Sequence, residues 1–311
     1  MRRFLAVLVL AGFSVNAQTI TQIFGSGANQ FSIEFVEIGN PGNAPDTTRY
    51  SNLVGRVDYI YKLGKYEISR DQVNKANTGG SLGITLFDVR STYMSSPTVT
   101  PPTGEVWTDG VNRPATAISW YEAARFVNYL NTSQGKQAAY SFDGSGNVQV
   151  WNSGQYNGTN QYRHKDAFYF LPCVDEWYKG AYGSLSGTWY DYPSGNDITP
   201  VAVSGGTSGA VYGQSIMQGP ADITNAGGLS AYGTMAQGGN VWEWLESPFE
   251  NFEMRGGSWL DDDGALIASP AFLYPLVNGT EGFRVAMVPE PSSPSLLLVC
   301  GAVLMGGRRR K

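Results

Sequence analysis

Few residues of this sequence could do nucleophilic or metal chemistry. Its 311 residues include one histidine, His164, and two cysteines, Cys173 and Cys300. A histidine cluster therefore cannot hold a metal, and the sequence contains no nucleophile elbow, phosphate-binding loop or zinc spacing. The candidates that remain are Cys173, the carboxylate of Glu243 and three successive aspartates at 261–263.

Cys173 and the aspartates each have a chemical and a structural interpretation. Cys173 follows Pro172 at the predicted start of a short helix, where the helix N-terminus can lower a thiol pKa and make it reactive. It is equally the kind of small, partly buried residue found at a cap position. Asp261, Asp262 and Asp263 could bind a metal, although such a charge run is typical of a solvated turn.

Glu243 lies between two indoles, Trp242 and Trp244. A carboxylate desolvated by large apolar rings needs a metal or a cationic partner. The sequence offers Arg255 and Arg284 as partners, each beside a glycine. Planar guanidinium groups in such positions are expected to fork onto carboxylates or carbonyls and to hold loops together.

Composition restricts the class of protein. The net charge is -5 with only 21 lysines and arginines, and no basic stripe runs through the body, which argues against nucleic acid as a partner. The 39 glycines and 13% aromatic residues indicate a loop-rich fold in which tryptophan and tyrosine supply buried area. Because Cys300 lies in an apolar tail, the body has one cysteine and no internal disulfide.

The first 17 residues have the pattern of a secretory signal peptide. Basic residues come first, an apolar run covers 4–15, and small residues precede a predicted cleavage after Ala17. The apolar run is shorter than the ~20 residues that span a bilayer. The alternative is a buried N-terminal helix or strand.

The body, 18–287, is predicted to form one α+β domain with much irregular structure. Residues 31–38 and 57–68 alternate apolar and polar side chains, which predicts a strand and then a long strand or hairpin. Residues 183–239 are rich in glycine, serine and threonine but carry scattered aromatics, so we expect an ordered loop.

Two helices are predicted. Ser119 and Glu122 form a capping box, and an apolar face follows at helical spacing. The second helix runs over 172–179, with its acidic residues in the first turn.

A series of motifs occurs in order along the body. It resembles the formylglycine-generating enzyme, or sulfatase-modifying factor, family over residues 33–287. The resemblance implies a single compact domain with little regular secondary structure, distantly related to C-type lectin-like folds. The motifs are VEIGNPGN (36–43), NRP (112–114), SWYEAARF (119–126), LP with EW (171–172, 176–177), GNVWEW (239–244), RGGSW (255–259) and GFRVA (282–286).

The resemblance also implies a calcium site. The carbonyls of Gly239 and Val241 and the carboxylate of Glu243 would supply hard oxygen ligands, which suit calcium. A further ligand usually lies three residues before that glycine, where this sequence has Ala236. The calcium prediction is therefore for a weakened site.

Active members of the family use copper(I) held by two cysteines, between the motifs that match RGGS and GFR. Soft thiolates select copper(I). The matching interval here, Trp259 to Glu281, has no cysteine, histidine or methionine, and Val285 stands where catalytic relatives often have cysteine. The sequence therefore assigns no catalytic residue and argues against copper, and Cys173 would be catalytic only if the protein were active after all.

The end of the chain resembles the PEP-CTERM sorting signal of exported bacterial proteins. Pro289-Glu290-Pro291 is followed by a short apolar run over 295–307 and by Arg308-Arg309-Arg310-Lys311. The resemblance implies recognition by an exosortase-type membrane protease, cleavage near the tripeptide and delivery to the cell surface or extracellular matrix. The alternative is a simple C-terminal anchor, with the basic end kept cytoplasmic.

These features predict an exported, non-catalytic domain displayed at the surface or in the matrix, where it binds glycan or protein. Signal peptidase and the exosortase-type protease would be its partners during export. The main alternative is an active oxidoreductase that converts a sulfatase cysteine to formylglycine. A third alternative is a different hydrolytic or oxidative activity that uses Asp261, Asp262 and Asp263.

Overall fold

A computed structural model describes residues 19–48, 53–87, 110–246, 253–268, 272–273 and 279–289. The predicted signal peptide and the tail from Glu290 onward lie outside the described residues, and so do the side chains of 269–278. None of the helices in the described ranges is long and apolar enough to cross a membrane.

A five-stranded antiparallel sheet is built largely from the first third of the chain and from its last described residues. The predicted strand over 31–38 is confirmed, and its neighbour pairs with it from Phe24 opposite Phe31 to Thr19 opposite Val36. The strand order is β1-β2-β3-β11-β6, so the last strand is inserted in the sheet beside β3. These strands are β1 (Thr19–Phe24), β2 (Phe31–Ile38), β3 (Tyr61–Gly64), β6 (Tyr169–Phe170) and β11 (Ala286–Met287).

The predicted strand over 57–68 is shorter than expected. Only Tyr61–Gly64 pairs as a strand, because Tyr59 and Ile60 before it are exposed and the chain after Gly64 turns away from the sheet. The amide of Lys65 still donates to Glu34, but that of Ile68 donates to Phe283. This turn carries the side chain of Glu67 into the core.

A second sheet and a small hairpin come from the rest of the chain. The order of the second sheet is β10-β7-β8-β9, with β10 parallel to β7 and the other pairs antiparallel. Its strands are β7 (Trp242–Trp244), β8 (Glu253–Arg255), β9 (Phe272–Leu273) and β10 (Glu281–Gly282), and the hairpin pairs β4 (Ser141–Phe142) with β5 (Val148–Gln149).

Three α-helices are described: α1 (Arg70–Gly80), α2 (Trp120–Thr132) and α3 (Val174–Tyr182). The capping box predicted for α2 is confirmed, with Ser119 as N-cap and Glu122 closing it. Helix α3 begins two residues after Pro172 and extends to Tyr182, beyond the predicted end at 179. Helix α1 was not predicted, because only Val73 and Ala76 are buried in its polar sequence.

The core lies between the first sheet and α2. Phe126 of this helix packs between Phe31 and Phe283, with ring centroids 6.0 and 5.3 Å away. The fully buried amide of Asn131 fastens α2 to β6, donating to the Tyr169 carbonyl at 2.8 Å and accepting its N–H at 3.0 Å. The side-chain amide of Asn131 thus satisfies backbone groups of β6 on the side where the described residues supply no partner strand.

The long segment 183–239 is ordered, as predicted. Buried aromatic side chains fasten it: the Tyr232 hydroxyl donates to the Ser184 carbonyl at 3.0 Å, and the ring of Tyr192 is buried near Leu266. The result is one mixed α+β domain with few helices, short curled sheets and much irregular backbone.

Candidate functional site

The GNVWEW motif forms a turn that leads into β7. Gly239 and Asn240 both have left-handed backbone, with φ of 88° and 64°. A Cβ on Gly239 would lie 2.4 Å from the Val211 carbonyl oxygen, so glycine is required there. The turn directs Glu243 into the core with no exposed surface.

Glu243 forms an ion pair with Arg284, one of the two arginines that the sequence suggested as its partner. Both its carboxylate oxygens lie 2.5 Å from nitrogens of Arg284, which is also fully buried. Arg284 further donates to the carbonyls of Gly64 and Met235 at 2.8 and 2.9 Å. The guanidinium thus joins β3, the end of the long loop and β7 at one point.

The indole that contacts Glu243 is not one of its neighbours in sequence. Trp242 and Trp244 are on the same strand as Glu243, and alternate residues of a strand point to opposite faces. The Nε1–H of Trp177, from α3, donates to Glu243 at 2.6 Å. The expectation that the two adjacent indoles surround the carboxylate is therefore corrected by strand geometry.

A second carboxylate, Glu67, lies beside this pair and was not found from the sequence. It accepts from the Asn240 side chain at 2.6 Å and from the Val241 amide at 3.2 Å. Burial, and next the charge of Glu243, raise the pKa of Glu67 well above its ordinary value, although Arg284 opposes the shift. The motif turn is thus fastened to the chain that follows β3.

The three residues predicted to bind calcium lie together at the motif turn, where Glu243 also has a protein partner. Both oxygens of Glu243 face Arg284, the Asn240 side chain is bound to Glu67, and Ala236 has no side-chain oxygen to offer. Calcium normally takes 6–8 oxygen ligands. Calcium binding at Gly239, Val241 and Glu243 stays a prediction for a weakened site.

Arg163 joins two buried glutamates in a separate cluster under α3. It donates to both oxygens of Glu246 at 2.9 and 2.7 Å and to both oxygens of Glu176 at 3.0 and 2.9 Å. The Tyr140 hydroxyl also donates to Glu246, at 2.8 Å, and the Tyr59 hydroxyl to Glu176, at 2.6 Å. One guanidinium therefore serves two carboxylates, each of which has hydroxyl support.

The two glutamates respond differently to that shared charge. Burial raises the pKa of both, but Arg163 outweighs burial at Glu176, where the net pKa is lowered. At Glu246 burial prevails and the pKa stays raised. These contacts connect parts of the chain that no local motif links, so sequence reasoning missed them.

Cys173 caps α3 directly above this cluster. Its amide donates to the Glu176 carboxylate at 2.7 Å. The residue is partly exposed, yet desolvation of its thiol, and then the negative charge of Glu176, raise the pKa of Cys173 well above its ordinary value. The helix N-terminus thus does not yield a reactive thiolate here, since the adjacent carboxylate acts in the opposite direction.

The aspartate run forms a local turn. Asp261 accepts from the amide and hydroxyl of Ser258 at 2.8 and 2.6 Å, and Asp262 caps a 3-10 turn by accepting from Gly264 at 3.1 Å. Asp262 and Asp263 are exposed. In the part of the chain that the structure describes, no group of three or more histidine, cysteine, aspartate or glutamate side chains could hold a metal ion.

A model of the sulfatase-modifying factor enzyme 1-like domain matches residues 48–287. The chain belongs to this family. The motif residues that the match contains therefore hold a family fold together: Arg284 and Glu243 join the two sheets, and Trp177 joins them to α3.

Solved structures agree with the family's fold. Variable protein 1 of Treponema denticola is 16% identical with a TM-score of 0.57, and the match covers 87% of this chain and 99% of that one. CarF is 18% identical with a TM-score of 0.52, covering 88% and 99%. At these identities the likeness shows the fold alone. A search of curated proteins gave no match.

The copper pair of catalytic sulfatase-modifying factors has no counterpart in these residues. The interval from Trp259 to Glu281 contains no thiol, and Cys173 is a single thiol with a raised pKa. Copper(I) selects thiolate ligands, and one protonated thiol does not replace a pair. The residues present therefore do not fit that cofactor.

Proposed function

We propose that this sulfatase-modifying factor domain is exported and non-catalytic, and that it is displayed at the cell surface or in the extracellular matrix, where it binds glycan or protein. The observation that carries the proposal is the state of Cys173. It is the only thiol of the body, and burial and Glu176 keep its pKa raised. Oxidation of a substrate cysteine by copper needs a pair of thiolates.

The two ends of the sequence support export. The basic, apolar and small-residue order of 1–17 has the form of a signal peptide. Pro289-Glu290-Pro291, the apolar run and Arg308-Arg309-Arg310 have the form of a PEP-CTERM signal, read by an exosortase-type protease. Under this proposal the chain is held in the membrane transiently before it reaches the surface or matrix.

The test of the catalytic alternative is a direct assay. The body from Gln18 to Val288 is loaded with copper(I) and given oxygen and a cysteine-containing sulfatase peptide, while peptide mass is followed. We expect no conversion to formylglycine, beside an active relative as positive control. Conversion that Cys173→Ser abolishes would overturn the proposal and establish the oxidoreductase.

The test of export is the mass of the protein recovered outside the cell. We expect a new N-terminus at Gln18 and loss of the segment after the Pro-Glu-Pro tripeptide. Replacing Arg308, Arg309 and Arg310 with glutamine should leave the tail uncleaved and the protein in the membrane. Recovery of the intact tail on the wild-type protein would favour a simple anchor.

A further inference from the structure

A groove of about 680 Å³ lies apart from the two buried carboxylate clusters, and Arg125 of the SWYEAARF motif is part of its lining. Its walls are the turn after β1, the end of α1 and one face of α2. Sites that hold small ligands have volumes of this order, roughly 300–1,000 Å³. Neither of the two carboxylate clusters contributes a residue to this groove, and Arg125 is the motif residue that does.

Arg125 supplies the groove's positive charge. It is half-buried, and its Nε donates to the Leu82 carbonyl at 2.9 Å, which fixes the plane of the guanidinium. Within the described residues its two terminal amino groups make no hydrogen bond and no ion pair. The nearest acid along α2, Glu122, is occupied by Ser119 and by the Thr85 amide, and no carboxylate of the described ranges lines the groove.

Tyr129 lies one helical turn beyond Arg125, on the same face of α2. Its side chain is 9% exposed, and within the described residues its hydroxyl has no hydrogen-bond partner. The ring is largely buried, whereas the hydroxyl keeps accessible surface toward the groove. An unpartnered hydroxyl on a largely buried ring that lines a groove is therefore a group available to a ligand.

Two glycines at the end of α1 keep the groove open above Tyr129. A Cβ on Gly79 would lie 2.6 Å from the Tyr129 hydroxyl, and a Cβ on Gly80 would lie 2.6 Å from the ring. Most of the remaining side chains are polar, and Leu82 is apolar. The polar ones are the hydroxyls and amides of Ser26, Asn29, Ser81, Asn128, Thr132 and Ser133.

These groups select a class of ligand. A guanidinium held in plane with two free amino groups matches a carboxylate, which accepts two parallel hydrogen bonds. A tyrosine hydroxyl with several small hydroxyls and an amide matches the hydroxyl groups of a sugar ring. Peptides usually need apolar pockets for their anchor side chains or a free strand edge. This groove between helices has one aliphatic side chain, Leu82, among many hydroxyls and amides, which favours a sugar.

We propose that the groove binds a carboxylate-bearing glycan of the uronic-acid class, with the carboxylate on Arg125 and sugar hydroxyls on Tyr129 and the neighbouring hydroxyl groups. This inference rests on the proposed function, because it names a ligand and a site for the displayed module.

The test uses the full chain and an oligogalacturonate as probe, with binding measured by calorimetry. The neutral galactose oligomer and polyglutamate of similar length serve as comparison ligands. Tyr129→Phe removes only the unpartnered hydroxyl and should leave the melting temperature unchanged while weakening binding about threefold to tenfold. Arg125→Gln should weaken it about tenfold or more, since a charge-assisted pair is lost.

The matched control is Arg56→Gln. This arginine is exposed and pairs with Asp58, so the variant makes the same change of charge outside the groove and should keep wild-type affinity. Oligogalacturonate binding that neither groove variant weakens would overturn the assignment of the groove while the display function stands. Equal affinity for the neutral oligomer or for polyglutamate would overturn the ligand class.

A different experimental result would contradict the proposed non-catalytic function itself. Formylglycine formation in the copper assay would overturn the proposed function whatever the groove binds. Absence of oligogalacturonate binding together with absence of formylglycine would overturn only the inference about the groove.

Discussion

At the scale of single residues, the body is held by buried charges rather than by a disulfide. Glu243 and Arg284 are both fully buried and share two short contacts, with Glu67 alongside. Removing one partner of such a pair leaves an uncompensated charge in the core, which costs more than the pair itself contributes. Three predictions follow from these residues.

Arg284→Met should lower the free energy of unfolding by about 3–5 kcal/mol. The substitution leaves the buried carboxylate of Glu243 without its cationic partner and removes donors to two backbone carbonyls. Urea unfolding measures the loss, and Arg56→Met, which breaks an exposed pair, should cost less than about 1 kcal/mol. A loss below about 1 kcal/mol for Arg284→Met would contradict the central role given to this pair.

Glu67 should make stability fall as the pH rises. Its pKa is raised in the folded state, so the folded protein holds this proton more tightly than the unfolded chain. The contribution is complete below the unfolded value of about 4.3 and is lost toward the raised folded value.

Glu67→Gln should therefore flatten the plot of unfolding free energy against pH in that window, by at most about 1.4 kcal/mol per pH unit. The comparison with wild type isolates this group from the other shifted carboxylates. An unchanged slope would show that Glu67 is ionised in the folded protein.

Calcium at millimolar concentration should raise the melting temperature only slightly, because the predicted calcium site is weakened. The oxygens of Glu243 are engaged by Arg284 and Trp177, and Ala236 supplies none. Scanning calorimetry with calcium and with chelator makes the measurement. A small rise that Glu243→Gln removes would establish the weakened calcium site at this motif, whereas no rise for the wild-type protein would contradict it.

At the scale of elements, strong local sequence patterns were sufficient to predict a helix or a strand. The alternation of β2 and the capping box of α2 are complete within a few residues, and both elements were predicted. Helix α1 has an equally complete capping box at Ser69 and Gln72, which could have revealed it despite its polar sequence. Strands of two residues, such as β6 and β11, depend on distant partners and leave no local pattern.

The contrast between local patterns and distant partners also explains how much of the candidate site could be predicted. The GNVWEW and GFR motifs were visible, but the partners of their side chains were not. Glu67 is 173 residues from Asn240, and Arg163 is 83 residues from Glu246. Pairings over such separations are decided by the packing of the whole domain, which no periodicity in the sequence encodes.

Both capping boxes should carry measurable stability. Ser69→Ala and Ser119→Ala each remove a hydroxyl that accepts from the third residue of a helix, and each should cost about 1 kcal/mol. Ser145→Ala, in the exposed β4–β5 turn, is the control and should change little. Equal losses for all three serines would show that the boxes add nothing to ordinary polar contacts.

At the scale of the whole molecule, the domain is closed by its last strand. Ala286 and Met287 pair with Leu63 and Lys62 on one side and with Phe170 and Tyr169 on the other. A chain that ends at Pro289 should unfold as the full chain does, whereas one that ends at Val285 keeps Arg284 but loses β11 and should not fold cooperatively. Circular dichroism and thermal unfolding distinguish the two.

A point variant checks the same idea without truncation. Ala286→Pro removes a backbone donor in a strand that is paired on both sides, where proline is not tolerated. We expect loss of cooperative unfolding. A Met→Leu change at position 287, similar in volume, should be accepted.

The position of β11 also sets an order of events for the nascent chain. The first three strands and β6 are made early, yet the strand that lies between β3 and β6 emerges last. Until then β3 and β6 each have an unpaired edge, and such edges are open to wrong pairing with other chains. The first sheet can be completed only once synthesis has reached Met287, so the finished domain is a product of the whole polypeptide rather than of its growing end.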